Sequence, residues 1–137
     1  MPDKSLMAKL RATTAVTTLV GGSSPRIRCG QLMEGDVKPG IVIERDTVRP
    51  VNHAGGTTGT KFGYVFVHCH ATDYATAEAV ADAVETALNG YTNTTGTPAI
   101  SMVHVQDVMY NPGPMVSGQD KIREQFTLDC LVQYSTS

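Results

Sequence analysis

The stretch Val67 to Leu88, "VHCHATDYATAEAVADAVETAL", changes its hydrophobic period from two to 3.6 within a few residues. Its first part continues "KFGYVFVHCHA" (Lys61 to Ala71), which is rich in β-branched and aromatic residues and reads as a strand. Successive strand side chains point to opposite faces, so Phe66, His68 and His70 share one face while Val65, Val67 and Cys69 share the other. From Tyr74 to Asn89 the apolar residues Ala77, Val80, Ala81, Val84, Ala87 and Leu88 recur at helical spacing, with Glu78, Asp82 and Glu85 on the remaining face. Asp73 or Thr72 is placed to cap the helix N-terminus and Gly90 to end it. A strand feeding a helix with such small side chains predicts close helix-on-sheet packing.

The His-Cys-His triplet invites a metal reading. On a strand Cys69 faces away from His68 and His70, so these three residues cannot close on one ion, and tetrahedral zinc would need ligands from elsewhere. The other candidates are His53, His104, Cys29 and Cys130, and none lies in a CxxC, HxxxH or HExxH arrangement. The expectation is therefore structural: Cys69 as a small core residue and the histidines on a half-exposed face, with no metal and no cofactor.

Working outward, "DKSLMAKLRATTAVTTLVGG" places Leu6, Leu10, Val16 and Val20 on one side of a helix, with Gly21 and Gly22 as its stop. The turn-rich "SSPRIRCGQLMEGDVKPG" contains a short strand at Ile27 to Cys29 at most, and "IVIERDTV" (Ile41 to Val48) is a β-branched strand. It should form a hairpin with the Lys61 to Ala71 strand, joined by a long, mobile Gly-Thr-rich tip, with Asn52 to Thr60 disordered in the free subunit. That tip, "GGTTGTK", fails as a phosphate-binding loop, because Thr60 separates Gly59 from Lys61 and a strand rather than a helix follows. After the second helix come the strand "ISMVHVQDVMY" (Ile100 to Tyr110), irregular near Asp107, and the alternating "IREQFTLDCLVQY" (Ile122 to Tyr134). The order αββαββ predicts an α+β fold: a four-stranded, mainly antiparallel sheet with two helices packed on one face.

The 137 residues suit a single domain, 1–137, that buries a core without staples. Three widely spaced cysteines and a start without a long apolar segment suggest a reducing cytosol, and no apolar run approaches the ~20 residues of a membrane span. The formal charge of -2 lacks the basic excess of a protein that grips nucleic acid.

The chain resembles the small tail-completion or tail-terminator (head-tail joining) proteins of long-tailed bacteriophages. The resemblance runs through "PGIVIERD", the Gly-rich hairpin tip, "VFVHCHATDYATAEAVADAVETALNGY", "DVMYNPG" and the closing "REQFTLDCLVQY", with Val65 to Tyr91 as its most specific part. His68 and His70 depart from it, since an acidic, polar or aromatic residue is expected there. What the resemblance implies is assembly rather than catalysis: a virion protein, assembled in the host cytoplasm, that forms a six-fold ring on the head-proximal end of the tail tube. Its partners would be copies of itself, the tail-tube protein and a neck or head-completion protein, with DNA passing through unbound and no membrane involved. The residues expected at such interfaces are Asn52, His53, Gly55, Gly56, Thr57, Thr58, Gly59, His68, His70, Pro112 and Met115. Two other readings compete. One is a neck connector of the same virion; the other is a small metal-dependent enzyme with His68, His70 and His53 or His104 as ligands and Asp73 as base.

Overall fold

The computed structural model describes residues 2–22, 25–30, 39–53, 56–71, 73–93, 99–112 and 124–135. Strand β3 (Gly56–Ala71) runs through the middle of the sheet, and its alternation divides the molecule into two faces. Val65, Val67, Cys69 and Ala71 are fully buried and meet the helices, together with Ile41 and Ile43 of β2 (Gly40–His53) and Phe126, Leu128, Cys130 and Val132 of β5 (Glu124–Ser135). Cross-strand register explains the match: Val67 lies between Ile43 and Leu128, and Cys69 between Ile41 and Phe126. Burying each such side chain contributes about 1.5–3 kcal/mol, so the shared register of apolar positions is what holds the strands in place.

The sheet has five strands, in the order β1-β2-β3-β5-β4, where β1 is Ile27–Cys29 and β4 is Ala99–Pro112. The expected four-stranded sheet and αββαββ order are thus corrected. Ile27–Cys29 is a true strand, and it pairs in parallel with Ile41–Ile43, so the sheet is mixed. Three residues carry too little periodicity to be told from a turn-rich connection. The first helix is also corrected. It breaks into α1 (Pro2–Arg11) and α2 (Thr14–Thr17), because Thr13 takes an extended conformation and its hydroxyl donates to the Lys9 carbonyl at 2.8 Å. Threonine hydroxyls that satisfy backbone carbonyls compete with the helix in this way. Leu6, Leu10, Val16 and Val20 are nevertheless all buried, as their spacing predicts.

Helix α3 (Tyr74–Leu88) buries Ala77, Val80, Ala81, Val84 and Leu88 against β3, β5 and β4. Asp73 is its N-cap, accepting from the Thr76 amide at 3.0 Å and the Thr76 hydroxyl at 2.8 Å. At the other end Gly90, at φ +81°, turns the chain so that its amide reaches the Val103 carbonyl at 2.8 Å. With the Asn89 side chain accepting from the Val105 amide and Asn93 exchanging two backbone bonds with Ile100, this turn covers the outer edge of β4 over its first half. Blunting an edge strand in this way removes a template for unwanted pairing. The irregularity expected near Asp107 is a register shift between Val105 and Asp107.

The hairpin of β2 and β3 departs most from expectation. Asn52 to Thr60 was expected to be a disordered tip, but Asn52 pairs with Thr57 and His53 with Gly56. β5 accompanies β3 only as far as Thr60, which lies opposite Ser135, so the ribbon continues beyond the sheet as a two-stranded arm. Register shifts at Arg45/Thr47 and Pro50/Asn52, and a proline with no amide to donate, keep the outer edge of this arm irregular.

Candidate functional site

On the face of the sheet opposite the helices, β2, β3 and β5 bring Glu44, His68, Thr127 and Gln125 together. Register does this: Val42, His68 and Thr127 lie abreast, with Glu44 and Gln125 one diagonal step away. The Gln125 amide nitrogen lies 3.0 Å from His68 Nδ1 and 3.0 Å from Thr127 Oγ1, and Thr127 Oγ1 is 2.9 Å from the same Nδ1. An amide N–H can only donate, so Nδ1 accepts and the imidazole proton sits on Nε2. From there it is donated to Glu44 Oε2 at 3.0 Å. Both ring nitrogens of His68 are thereby engaged within the protein. Phe66, His68 and His70 form a row, with ring centroids 6.1 and 6.3 Å apart.

His68 is half-buried, as expected, but His70 is not on a half-exposed surface: it retains 4 % exposure, beside Thr127 at 3 % and Val42 at 6 %. The correction here is that His70, Thr127 and Val42 are buried on a sheet face that no described helix covers, while His68 and Glu44 stay partly open to solvent. His104 lies two strands away from His68, and its partner Leu131 is about four residues along β5 from Thr127. At ~4.8 Å per strand and ~3.3 Å per residue, the two histidines cannot share an ion whose bonds are about 2.1 Å long. His53 stands near the far end of β2, on the order of 30 Å from Val42, the residue opposite His68. Asp73 is held in its capping bonds at the end of α3, where the two Thr76 hydrogen bonds, the side-chain one foremost, lower its pKa. The residues of the enzyme reading are therefore not assembled, and among the described residues no group of three His, Cys, Asp or Glu is arranged around one point.

Of the expected interface positions, Asn52, His53, Gly56, Thr57, Thr58 and Gly59 lie in the backbone of the arm, Pro112 ends β4, and Gly55 and Met115 fall outside the described residues. One contact-type feature was not anticipated. Tyr74, Tyr110 and Phe126 form a triangle of rings with centroids 5.2 to 5.4 Å apart, and Tyr74 and Tyr110 remain 49 % and 42 % exposed. The signal in the sequence was the pairing of a tyrosine at the start of a helix with one near the end of a strand, which becomes a patch only through the β4–β5 register. Amphipathic, partly exposed tyrosines of this kind are enriched at protein interfaces. No described helix is long and apolar enough to cross a membrane.

An α+β subunit with a polar row on one face, an exposed aromatic patch and a projecting arm has the features of a structural assembly protein. The same fold occurs in a chain of the virion of a native gene transfer agent particle: the TM-score is 0.75 at 15 % identity, over 97 % of this chain and 93 % of that one. A family model described as tail completion protein gp17 matches residues 4–107, and the chain belongs to that family of bacteriophage virion proteins. No curated protein matches the chain.

Proposed function

We propose that the protein is a non-enzymatic, single-domain tail terminator: six copies form a ring on the head-proximal end of the tail tube, stop its growth and join tail to head. Membership of the tail completion family over residues 4–107 carries this reading. The surface supports it. A subunit of a closed ring needs two different contact faces plus further surfaces for tube and neck, and this chain offers a polar sheet face, an aromatic patch and an arm. The net charge of -2 suits a channel through which DNA passes in the host cytoplasm and on ejection without being held. The test is to add the purified protein to tubes polymerised from the tail-tube protein of the same virion, and to view them by negative-stain electron microscopy. Rings at one end only, with tube growth arrested, are expected. Decoration along the tube overturns the reading, and binding only to the portal of filled heads would replace it with a neck connector.

A further inference from the structure

Charge is segregated along this chain in a way its small net value hides. From Lys4 to Arg28 there are five basic residues, Lys4, Lys9, Arg11, Arg26 and Arg28, and no acidic one. From Phe62 to Gln119 there are five acidic residues, Asp73, Glu78, Asp82, Glu85 and Asp107, and no lysine or arginine. The sheet order turns this into a spatial polarity. The basic segment supplies β1, at one lateral edge, with α2 and all of α1 after Pro2 and Asp3, and the acidic segment supplies α3 and β4, with β4 at the other edge; α1 and α2 also pack on α3. In the helical layer α1 packs over β1 and β2, and α3 over β5, β3 and β4.

On α3, Glu78 and Asp82 are exposed, and with Glu85 they follow the i, i+4 and i+3 spacing of one helix face. Like charges at that spacing repel, and this helix contains no Lys or Arg to offset them. On the opposite flank two arginines are already positioned: the Arg11 guanidinium donates to the Ile27 carbonyl at 2.7 Å and Arg26 Nε to the Pro39 carbonyl at 2.8 Å. Each keeps further N–H donors, and a guanidinium held in place loses less entropy on meeting a carboxylate. Lys4 is exposed on the same side of α1 as Arg11, whereas Lys9 points the other way, over the Tyr91 ring at 5.1 Å from its centroid, and is not part of this flank.

We infer that the acidic α3–β4 flank of one copy docks on the basic α1–β1 flank of the next, so that a second copy of this chain is the partner of both surfaces. This deepens the ring reading and rests on it. A two-fold contact is disfavoured, because flanks on opposite edges would meet like with like, whereas a head-to-tail contact pairs unlike charges at every junction and closes into a ring.

Sedimentation velocity of the full chain tests this at two ionic strengths, giving Debye lengths of roughly 30 Å and roughly 3 Å. Wild type should self-associate more strongly at the lower one. Lys4→Glu with Arg11→Glu, and separately Glu78→Lys with Asp82→Lys, should each raise the dissociation constant about ten-fold or more. An equimolar mixture of the two variants should regain association, since every junction of an alternating ring is then complementary; thermal melts of each variant alone check that it folds. Association indifferent to salt and to both reversals, a mixture no better than its components, or a wild type that stays monomeric at both salts would overturn the flank contact. The ring reading is judged separately, by wild-type protein on tail tubes. Rings there with no effect of reversal sink only the flank assignment, and no rings there sinks the ring itself.

Discussion

The imidazole Nε2 of His68 stands 3.0 Å from the Glu44 carboxylate across the β2–β3 pair, while its Nδ1 accepts from β5. One side chain thus ties three strands together on the face that no described helix covers. The partners differ in what they lose without it. Thr127 is buried, so His68→Leu should leave its hydroxyl and the Gln125 amide short of a partner and cost about 1–3 kcal/mol. Glu44 has a side chain 59 % exposed, and Glu44→Gln should cost less than ~1 kcal/mol. Chemical denaturation of the two variants measures the difference. Neither a chelator nor added zinc should shift the wild-type melt; a zinc-dependent rise that His68→Leu abolishes would restore a metal site.

Asp73 gives a dependence on acid with a definite sign. Hydrogen bonds from the Thr76 hydroxyl and amide hold its carboxylate below the ordinary value of 3.8. A depressed folded-state pKa contributes stability that is present above the unfolded value and lost as pH falls through the folded one. Wild type should therefore lose melting temperature below about pH 4, the region of unperturbed aspartate. Asp73→Asn, which still caps, should lose less over that interval, and Asp73→Ala should be lower than wild type at neutral pH. Parallel thermal melts of the three proteins would show it; identical acid profiles for wild type and Asp73→Asn would contradict it.

The cap was legible to within one residue, Asp73 or Thr72, for the same reason that α3 and the middle of β3 were: each follows from local spacing. Asp73 stands three residues before Thr76, Ala77 to Leu88 repeat at 3.6, and Val65, Val67 and Cys69 alternate. What was not legible depends on partners distant in the chain. β1 is a strand only because Ile27 to Cys29 find Ile41 to Ile43, and "GTTGT" (Gly56 to Thr60) belongs to a ribbon only because β2 runs beside it. Glycine-rich segments carry no apolar alternation to announce their register. The polar row was half legible. Alternation put His68 and His70 on one face, but Glu44, Gln125 and Thr127 reach that face through pairings 24 to 59 residues apart in sequence.

Cysteine reactivity follows from the same two faces. Cys69 and Cys130 lie in the core, where burial is the main cause that raises both thiols; the Cys130 thiol is pushed up to about 12, with Asp129 adding to the effect, and the Cys69 thiol is raised further. Cys29 is half-buried, its thiol 3.7 Å from the Met7 sulfur. A thiol reagent at neutral pH should modify Cys29 alone in native protein, and all three cysteines in denaturant. Because the folded pKa values are raised, the two core thiols contribute stability that is intact below the unfolded value near 9.0 and lost as pH rises above it. Mass spectrometry of labelled native protein decides the first point. Early modification of Cys69 would contradict the register of β3.

The arm should be separable from the fold. Among the described residues, the two strands between Asn52 and Thr57 pair only with each other, whereas from Thr60 onward β3 also has β5. An isolated two-stranded ribbon is at best marginally stable in water, so the segment adds little to the global stability set by the core below it. Replacing residues 51–60 by Asn-Gly supplies a two-residue turn suited to closing Pro50 against Lys61, which already face each other. The shortened protein should melt within a few degrees of wild type, the scale of a change under ~1 kcal/mol in a chain of this size. Its attachment to tail tubes should fall sharply, since an arm that reaches past its own sheet is suited to contacting a neighbour. Calorimetry and tube pull-down on the same preparation separate the two effects. Loss of both together would show that the arm is packed into the subunit, and loss of neither would remove it from the assembly surface.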